Sequence, residues 1–262
     1  MLREIFRELF QYRELLRAFT YRNIKIRYKQ TIMGFLWAIF MPAVIVLSGI
    51  VIKKAIAIVS GRPLELAEIV SVSVKALPWA FFIGAIKFSV NSLVGNMNLV
   101  KKIYFPREVF PISYIFVQLF DFLIAIAFLT LVLIFARIGL SIYLLYVPFL
   151  IIFLVLFTIG LALILSCGNV FFRDVRYIVD VVLTFGIFFT PVFYEASMFK
   201  DWKIILLLNP VASILESMNA VVVFHKMPDI FWFTYAGVAS AVMFISGLSV
   251  FHKSEQIFAE VI

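Results

Sequence analysis

Long stretches without charged residues alternate with short charged segments along this chain. Met33–Ile52, Ile138–Phe172 and Ile230–Phe251 contain no Asp, Glu, Lys or Arg, whereas Ala76–Val100 and Val109–Ala136 contain one charged residue each. A helix of about 20 apolar residues crosses the ~30 Å hydrocarbon layer of a bilayer. The pattern therefore predicts five membrane-spanning helices.

A sixth apolar stretch is shorter and interrupted. Val181–Tyr194 is free of charge over 14 residues, which as a helix reach only about 21 Å. Pro191 interrupts it, and Asn209-Pro210 breaks the apolar run that follows. Broken helices at membrane depth must be shielded by protein or line a cavity. We therefore predict a crossing helix at 177–194 and short re-entrant helices at 195–226. We expect the re-entrant helices to form a gate.

The N-terminal segment repeats apolar residues at spacings of three and four. These residues share one helical face, with arginines and an acid opposite, and they are Ile5, Leu9, Tyr12, Leu16 and Phe19. Such a helix lies in the membrane interface. Packing on a soluble partner is the alternative, and we favour the membrane surface.

The predicted fold class is an all-α integral membrane protein with six transmembrane helices. Residues 1–30 form the amphipathic interfacial helix and a basic juxtamembrane stretch, and 31–262 form the transmembrane domain with the re-entrant region. The spans are expected at about 31–52, 76–97, 109–136, 141–169, 177–194 and 230–251.

Composition agrees with a membrane location. The chain is 64% hydrophobic with a mean hydropathy of +1.09, whereas soluble domains are about 45–50% apolar. The net charge of +8 is better explained by basic cytoplasmic loops than by nucleic acid, because such loops orient membrane proteins. With the N-terminus inside, the inner joints hold more Lys and Arg than the outer ones. We expect a multi-pass protein of the inner (cytoplasmic) membrane with both termini in the cytoplasm.

Motifs for catalysis are missing from the sequence. No Gly-rich phosphate loop, nucleophile elbow or zinc-type ligand spacing occurs, and the two histidines, His225 and His252, lie far apart. We therefore predict no enzyme activity, no metal site and no cofactor bound by this chain. Uphill movement of a substrate would take its energy from an ion gradient or from another subunit.

Two charged residues interrupt otherwise apolar spans. Lys87 is expected in the middle of the second span and Asp121 in the third. Charges at that depth must face protein, water or a counter-ion. A Lys87–Asp121 ion pair and a polar pathway lining are both open interpretations.

Basic and aromatic residues mark three cytoplasmic segments. The juxtamembrane stretch carries Arg22, Lys25, Arg27 and Lys29, which either bind an acidic headgroup or pyrophosphate or only signal topology. The joints 99–107 and 169–176 combine aromatic residues with charge, as docking sites for a soluble partner do. Ordinary anchoring of Tyr and Phe at the interface is the alternative for these joints.

Several short motifs are spread over the whole chain. They are Arg22-Asn-Ile-Lys-Ile-Arg-Tyr-Lys-Gln with Gly34, Trp37 and Pro42; Pro78-Trp79; Asn91-Ser92, Asn96 and Leu99; Lys102-Ile-Tyr-Phe-Pro-Arg107 with Pro111; Asn169 with Phe172-Arg-Asp-Val175; Pro191-Val-Phe-Tyr194; and Asn209-Pro210. In this order they resemble a known family, the permease subunits of type-2 ATP-binding-cassette exporters. Within it, the chain is most similar to exporters of lipid-linked O-antigen or other cell-surface polysaccharides, such as teichoic acids. Asn23 is a departure, since an acid is common there.

The resemblance implies a homodimer with two copies of a separate ATPase, which would bind ATP and Mg. It implies a cargo of undecaprenyl-pyrophosphate-linked polysaccharide, threaded through a channel at the dimer interface. Residues expected to couple to the ATPase are Lys101, Lys102, Tyr104, Phe105, Pro106, Arg107, Arg173, Asp174 and Arg176. Residues expected in the channel or gate are Trp37, Lys87, Asp121, Pro191, Tyr194, Asn209 and Pro210.

Other functions stay open on the sequence. The same architecture serves an exporter of a lipid or a small hydrophobic drug. A non-transporting membrane scaffold and an ion-coupled transporter belong to other classes; the first needs no cavity between protomers and the second no ATPase.

Overall fold

The chain folds into packed helices. The computed structural model describes residues 7–8, 10–29, 36–59, 61, 63, 65–102, 105–135, 139 and 141–261. Over these ranges the chain contains helices, turns and no strand, which confirms the predicted all-α class.

The described helices overlap the apolar stretches. The first half of the chain contains α1 (Arg13–Lys29), α2 (Leu36–Val59), α3 (Leu66–Val90), α4 (Ser92–Gly95) and α5 (Met97–Lys102). The second half contains α6 (Val109–Phe135), a 3-10 helix (Ile142–Tyr146), α7 (Val147–Phe171), α8 (Val175–Phe189), a second 3-10 helix (Ala196–Trp202), α9 (Lys203–Leu207), α10 (Pro210–Val222) and α11 (Ile230–Val261).

Five helical stretches in the described part are long and apolar enough to cross a membrane. Each overlaps one of the five charge-poor stretches of the sequence, in agreement with the prediction of several membrane-spanning helices. They are Leu36–Val59, Leu66–Val90, Val109–Leu131, Ile142–Phe171 and Ile230–Glu255. Helix α8 has 15 residues, or about 22 Å of length, so a sixth crossing stays a prediction.

Helix α3 is displaced along the sequence from the predicted second span. It runs from Leu66 to Val90, whereas the span was expected at 76–97. Lys87 therefore lies in the last turn of α3, and its predicted position in mid-span is wrong. The cation buried inside this helix is Lys75, with 1% of its side chain exposed.

Helices α7 and α11 make the most extensive helix–helix contact. Two glycines lie where their backbones meet. A Cβ on Gly160 would lie 2.2 Å from the backbone oxygen of Met243, and one on Gly247 would lie 2.3 Å from the backbone oxygen of Gly160. Small residues allow helix backbones to approach closely in membranes, and here no side chain fits at either position.

An aromatic cluster lies at the C-terminal end of this helix pair. Phe110 lies 5.2 Å from Phe19 of α1 and 5.4 Å from Phe105, measured between ring centroids. Tyr12 and Leu16 pack on the same cluster. Part of the predicted apolar face of α1 therefore contacts the chain itself. The placement of α1 on a bilayer stays a prediction, and the expected face residues Ile5 and Leu9 lie outside the described residues.

Candidate functional site

A polar cavity of about 310 Å³ lies where the end of α3 meets the beginnings of α6 and α8. Aromatic, amide and charged side chains line it, in contrast to the apolar helix surfaces around it. The lining residues are Lys87, Phe88, Asn91, Gly95, Tyr114, Arg176 and Asp180. The cavity therefore combines two cations with flat aromatic surfaces.

Lys87 pairs with an acid of the neighbouring helix. Its Nζ lies 3.3 Å from Oδ1 of Asp180, and both side chains are partly exposed. The Lys87–Asp121 pair considered from the sequence is wrong, because α3 ends near Lys87 and brings it to the first turns of α8. This exposure leaves Lys87 available to a ligand in the cavity.

The aromatic wall of the cavity carries a third cation. The rings of Phe88 and Tyr114 are nearly parallel, with centroids 6.4 Å apart. The guanidinium of Arg27 lies 5.1 Å from the Phe88 centroid, a distance that suits a cation–π contact. The basic end of α1 is thereby placed at the cavity wall.

Asp121 fixes Arg27 in this place. Nη1 of Arg27 lies 2.9 Å from Oδ2 of Asp121, and the hydroxyl of Tyr28 donates a hydrogen bond to Oδ1. Burial and the bond to Asp121 raise the pKa of Tyr28, so its hydroxyl remains a donor. Asp121 thus positions Arg27 and Tyr28 of α1 and does not pair with Lys87 of α3.

The other juxtamembrane cations differ in their placement. Nη2 of Arg22 donates to Oδ1 of Asn96 at 3.3 Å, next to the cavity residue Gly95. Lys25 and Lys29 are exposed and do not line the cavity. The structure therefore brings Arg27 and Arg22 towards the cavity and leaves the two lysines on the surface of α1.

The two joints that the sequence predicts to be cytoplasmic present different surfaces. The second joint is exposed at Phe172, Arg173, Asp174 and Arg176. It links α7 to α8, and Arg176 also lines the cavity. This joint therefore connects a free surface directly to the polar cavity.

The first joint is tied to the rest of the chain. Phe105 and Pro106 are buried. The backbone N–H of Arg107 donates to Oε1 of Glu255 at 3.1 Å, and Nη1 of Arg107 donates to the Glu255 backbone oxygen at 2.5 Å. Lys101 and Lys102 end α5, and Tyr104 lies outside the described residues.

The segment after α8 is folded back by side-chain hydrogen bonds. Oδ1 of Asn209 accepts from the N–H of Val211 at 3.1 Å and caps α10, in which Pro210 is the first residue. Nδ2 of Asn209 donates to Oγ1 of Thr190 at 3.2 Å. Pro191 is buried in the turn after α8. Asn209 therefore joins the end of α8 to the start of α10.

A buried ion pair, which sequence reasoning missed, secures the same segment. Nζ of Lys75 donates to the backbone oxygen of Tyr194 at 2.5 Å and lies 3.5 Å from Oε1 of Glu216 in α10. Oε1 of Glu216 also accepts a hydrogen bond from the N–H of Ala196 at 3.1 Å. Residues 69–74 carry no charge. This uncharged stretch before Lys75 could have indicated that α3 begins well before that residue.

Two further residues of the predicted gate have local contacts. The hydroxyl of Tyr194 donates to the backbone oxygen of Phe188 at 2.9 Å. Trp37 of α2 is half-buried and meets Phe40 edge-on at 5.5 Å. Neither residue lines the polar cavity.

The described part of the chain combines five apolar helices of membrane-spanning length with a folded-back segment and a polar cavity near the loops. Residues 14–223 match the model of the ABC-2 type transporter family. The chain belongs to this family of transporter membrane subunits.

Curated relatives extend the similarity over nearly the whole chain. The chain is 28% identical over 257 residues to the O-antigen export system permease protein RfbA of Myxococcus xanthus, covering 97% of each protein. Two O-antigen export system permease proteins RfbA of Klebsiella pneumoniae are 28% identical over 256 residues, covering 95% of each protein.

Proposed function

We propose that this protein is the permease of an exporter that moves a lipid-linked polysaccharide of the O-antigen type across the inner membrane. The observation that carries the proposal is the near full-length similarity to O-antigen export permeases. Both termini would face the cytoplasm, with α8 and the segment behind it completing a sixth crossing. The polar cavity then lies at the cytoplasmic end, where such a substrate enters.

The cavity suits the pyrophosphate headgroup of an undecaprenyl-linked glycan. Arg27, Lys87 and Arg176 supply cations, and charge-assisted hydrogen bonds to phosphate are among the stronger polar contacts. Asp180 balances Lys87 before the ligand arrives, and the phosphate oxygens would replace it. Phe88 and Tyr114 offer ring faces to the first sugar. Lys25 and Lys29, exposed on α1, would attract the anionic lipid to the site.

The headgroup role predicts a loss of substrate affinity in the double variant Arg27→Gln/Lys87→Gln. We expect the concentration of lipid-linked glycan for half-maximal stimulation of ATPase activity to rise at least about tenfold. Two lost charge-assisted bonds, at about 1.5–3 kcal/mol each, exceed this threshold. The measurement uses the permease–ATPase complex in proteoliposomes.

The matched control for this measurement is Lys226→Gln, which neutralises an exposed lysine of the loop before α11. It should leave the half-maximal concentration unchanged. If lipid-linked glycan stimulated the ATPase activity of the double variant as it does that of the wild type, the cavity would not be the headgroup site.

The exposed second joint is the better surface for the ATPase. Phe172 is 72% exposed, and Arg173 and Asp174 flank it on the turn between α7 and α8. We assign the partner contact to these residues and Arg176, together with Lys101, Lys102 and Tyr104 of the first joint. Phe105, Pro106 and Arg107 would hold the first joint in shape from inside the permease. ATP and Mg would bind to the partner alone.

This assignment predicts that Arg173→Glu abolishes co-purification of the ATPase while the permease still enters the membrane. Reversal of an exposed charge at an interface repels the partner without disturbing the permease core. Lys226→Glu, a reversal at the opposite end of the bundle, should keep full co-purification. Retention of the ATPase by Arg173→Glu would contradict the assignment.

The transport path would run between two copies of the chain. A polysaccharide longer than the bilayer is thick does not fit within one closed cavity, so stepwise threading through a homodimer channel is the mechanism we propose. The segment containing Pro191, Tyr194 and Asn209-Pro210 would gate its outer end. A dimer interface that is closed and filled with apolar side chains in every nucleotide state would exclude threading.

A second candidate function rests on an apolar cavity of about 340 Å³ between α3, α6, α7 and α10. Its walls suit an acyl chain or a hydrophobic drug, and they include Leu77, Pro78, Phe122, Leu133, Pro148 and Met218. Stimulation of ATPase activity by a lipid without a glycan, and none by the lipid-linked glycan, would favour this candidate.

A further inference from the structure

Two acids and a histidine meet at the inner end of the bundle, away from the polar cavity. Glu108 immediately precedes α6, and His252 and Glu255 lie three residues apart on α11, hence on one helical face. Each side chain offers one ligand atom, and the three atoms lie within 4.8 Å of one another. The cluster therefore bridges the first cytoplasmic joint and the C-terminal helix.

Glu108 is a buried carboxylate, one oxygen of which has no hydrogen-bond partner within the described part of the chain. Only 2% of the residue is exposed, and the oxygen in question is Oε2. A buried polar atom without a partner is costly, and a buried charge is more so. A cation at this place would satisfy the buried carboxylate.

Arg107 does not neutralise this cluster by itself. It is engaged by Glu255 through its N–H and its guanidinium. A divalent cation between Glu108 and Glu255 would compensate the remaining negative charge of the two carboxylates.

The donor set selects the kind of cation. Imidazole nitrogen favours transition metals, whereas magnesium and calcium prefer oxygen ligands alone. Zinc binds His and Glu at about 2.0–2.2 Å, which in tetrahedral geometry places ligand atoms about 3.3–3.6 Å apart. The ligand atoms, which lie within 4.8 Å of one another, would have to approach by about 1 Å to reach this spacing, and a water molecule would be the fourth ligand.

We propose that Glu108, His252 and Glu255 bind a divalent transition-metal ion of the zinc type. The ion connects the C-terminal helix to the first joint, where the backbone N–H of Arg107 already donates to Glu255. It would thus stiffen this joint from inside the permease. The sequence predicted no metal site because Glu108 is remote in sequence from the two helical ligands.

Zinc binding to the purified full-length permease in detergent tests the site. Protein stripped with a chelator is titrated with Zn²⁺, and bound metal is counted by mass spectrometry after dialysis, with thermal unfolding measured in parallel. We expect one saturable zinc per chain and a higher melting temperature that a chelator reverses. His252→Asn should weaken zinc binding at least about tenfold, since even outer-shell partners contribute 10- to 100-fold.

The other histidine provides the matched control. His225 has a positive φ of 50°, which asparagine tolerates well, so His225→Asn should fold and bind zinc like the wild type. Glu108→Gln, which preserves size, should lose affinity as His252→Asn does. Equal zinc binding by the wild type and His252→Asn, or undiminished binding by Glu108→Gln, would overturn the proposal.

Discussion

Gly160→Ala is expected to disrupt the packing of α7 against α11 and to lower the stability of the whole bundle. The added Cβ would meet the Met243 backbone oxygen at 2.2 Å and its carbonyl carbon at 2.4 Å. Backbone atoms cannot rotate away as a side chain does, so the helices must separate. Overpacking costs about 1–3 kcal/mol, occasionally more, and we expect at least about 3 kcal/mol here.

Thermal unfolding of the detergent-solubilised protein measures this effect. A loss of about 3 kcal/mol corresponds to a melting temperature lower by about 6–12 °C. Gly168→Ala is the control on the same helix, because its Cβ would meet only the Val175 side chain at 3.7–3.8 Å. That variant should be neutral or more stable by up to about 1 kcal/mol, the helix-propensity gain of alanine. Equal melting temperatures for both variants would contradict the close contact.

Lys75→Met is expected to release the folded-back segment after α8. The substitution leaves the Glu216 carboxylate without its cation and the Tyr194 backbone oxygen without its donor. Removal of one partner from a buried ion pair costs about 3–5 kcal/mol. We expect a loss of this size in the free energy of unfolding and faster proteolysis of the segment 190–203.

A double variant separates the ion pair from general damage to α3. Lys75→Met/Glu216→Gln removes both charges and should recover at least about half of the lost stability, because no uncompensated charge remains. Lys54→Met changes an exposed lysine of α2 in the same way and should stay within about 0.5 kcal/mol of the wild type. A double variant that is no more stable than Lys75→Met would exclude the pair as the cause.

The hydrophobic pattern predicts the helices but misplaces two lysines along α3. The charge-free window suggested that α3 begins after Lys75, which put Lys87 in mid-span. In the structure Glu216, remote in sequence, neutralises Lys75 and lets the helix start at Leu66. A partner so distant along the chain leaves no trace in the local pattern of residues.

In the candidate site, too, the sequence indicates the separate segments but not how they meet. The basic stretch and the aromatic joints were evident as separate segments, and the family resemblance rested on them. Their meeting was not evident, because Arg27 reaches Phe88 only through the packing of α1 on α6 and the anchor at Asp121. The exposed second joint and the buried first joint likewise looked alike in sequence.

The sequence alone determined the membrane location, the five long apolar helices and the break after the short sixth stretch. These features follow from local composition, since apolar length decides what crosses a bilayer and proline and asparagine interrupt helices. Only the tertiary structure decided which charges pair, which joint is exposed and where α7 and α11 touch. These outcomes depend on contacts between residues far apart in the chain. The energies of such contacts cannot be read from any one segment of the sequence.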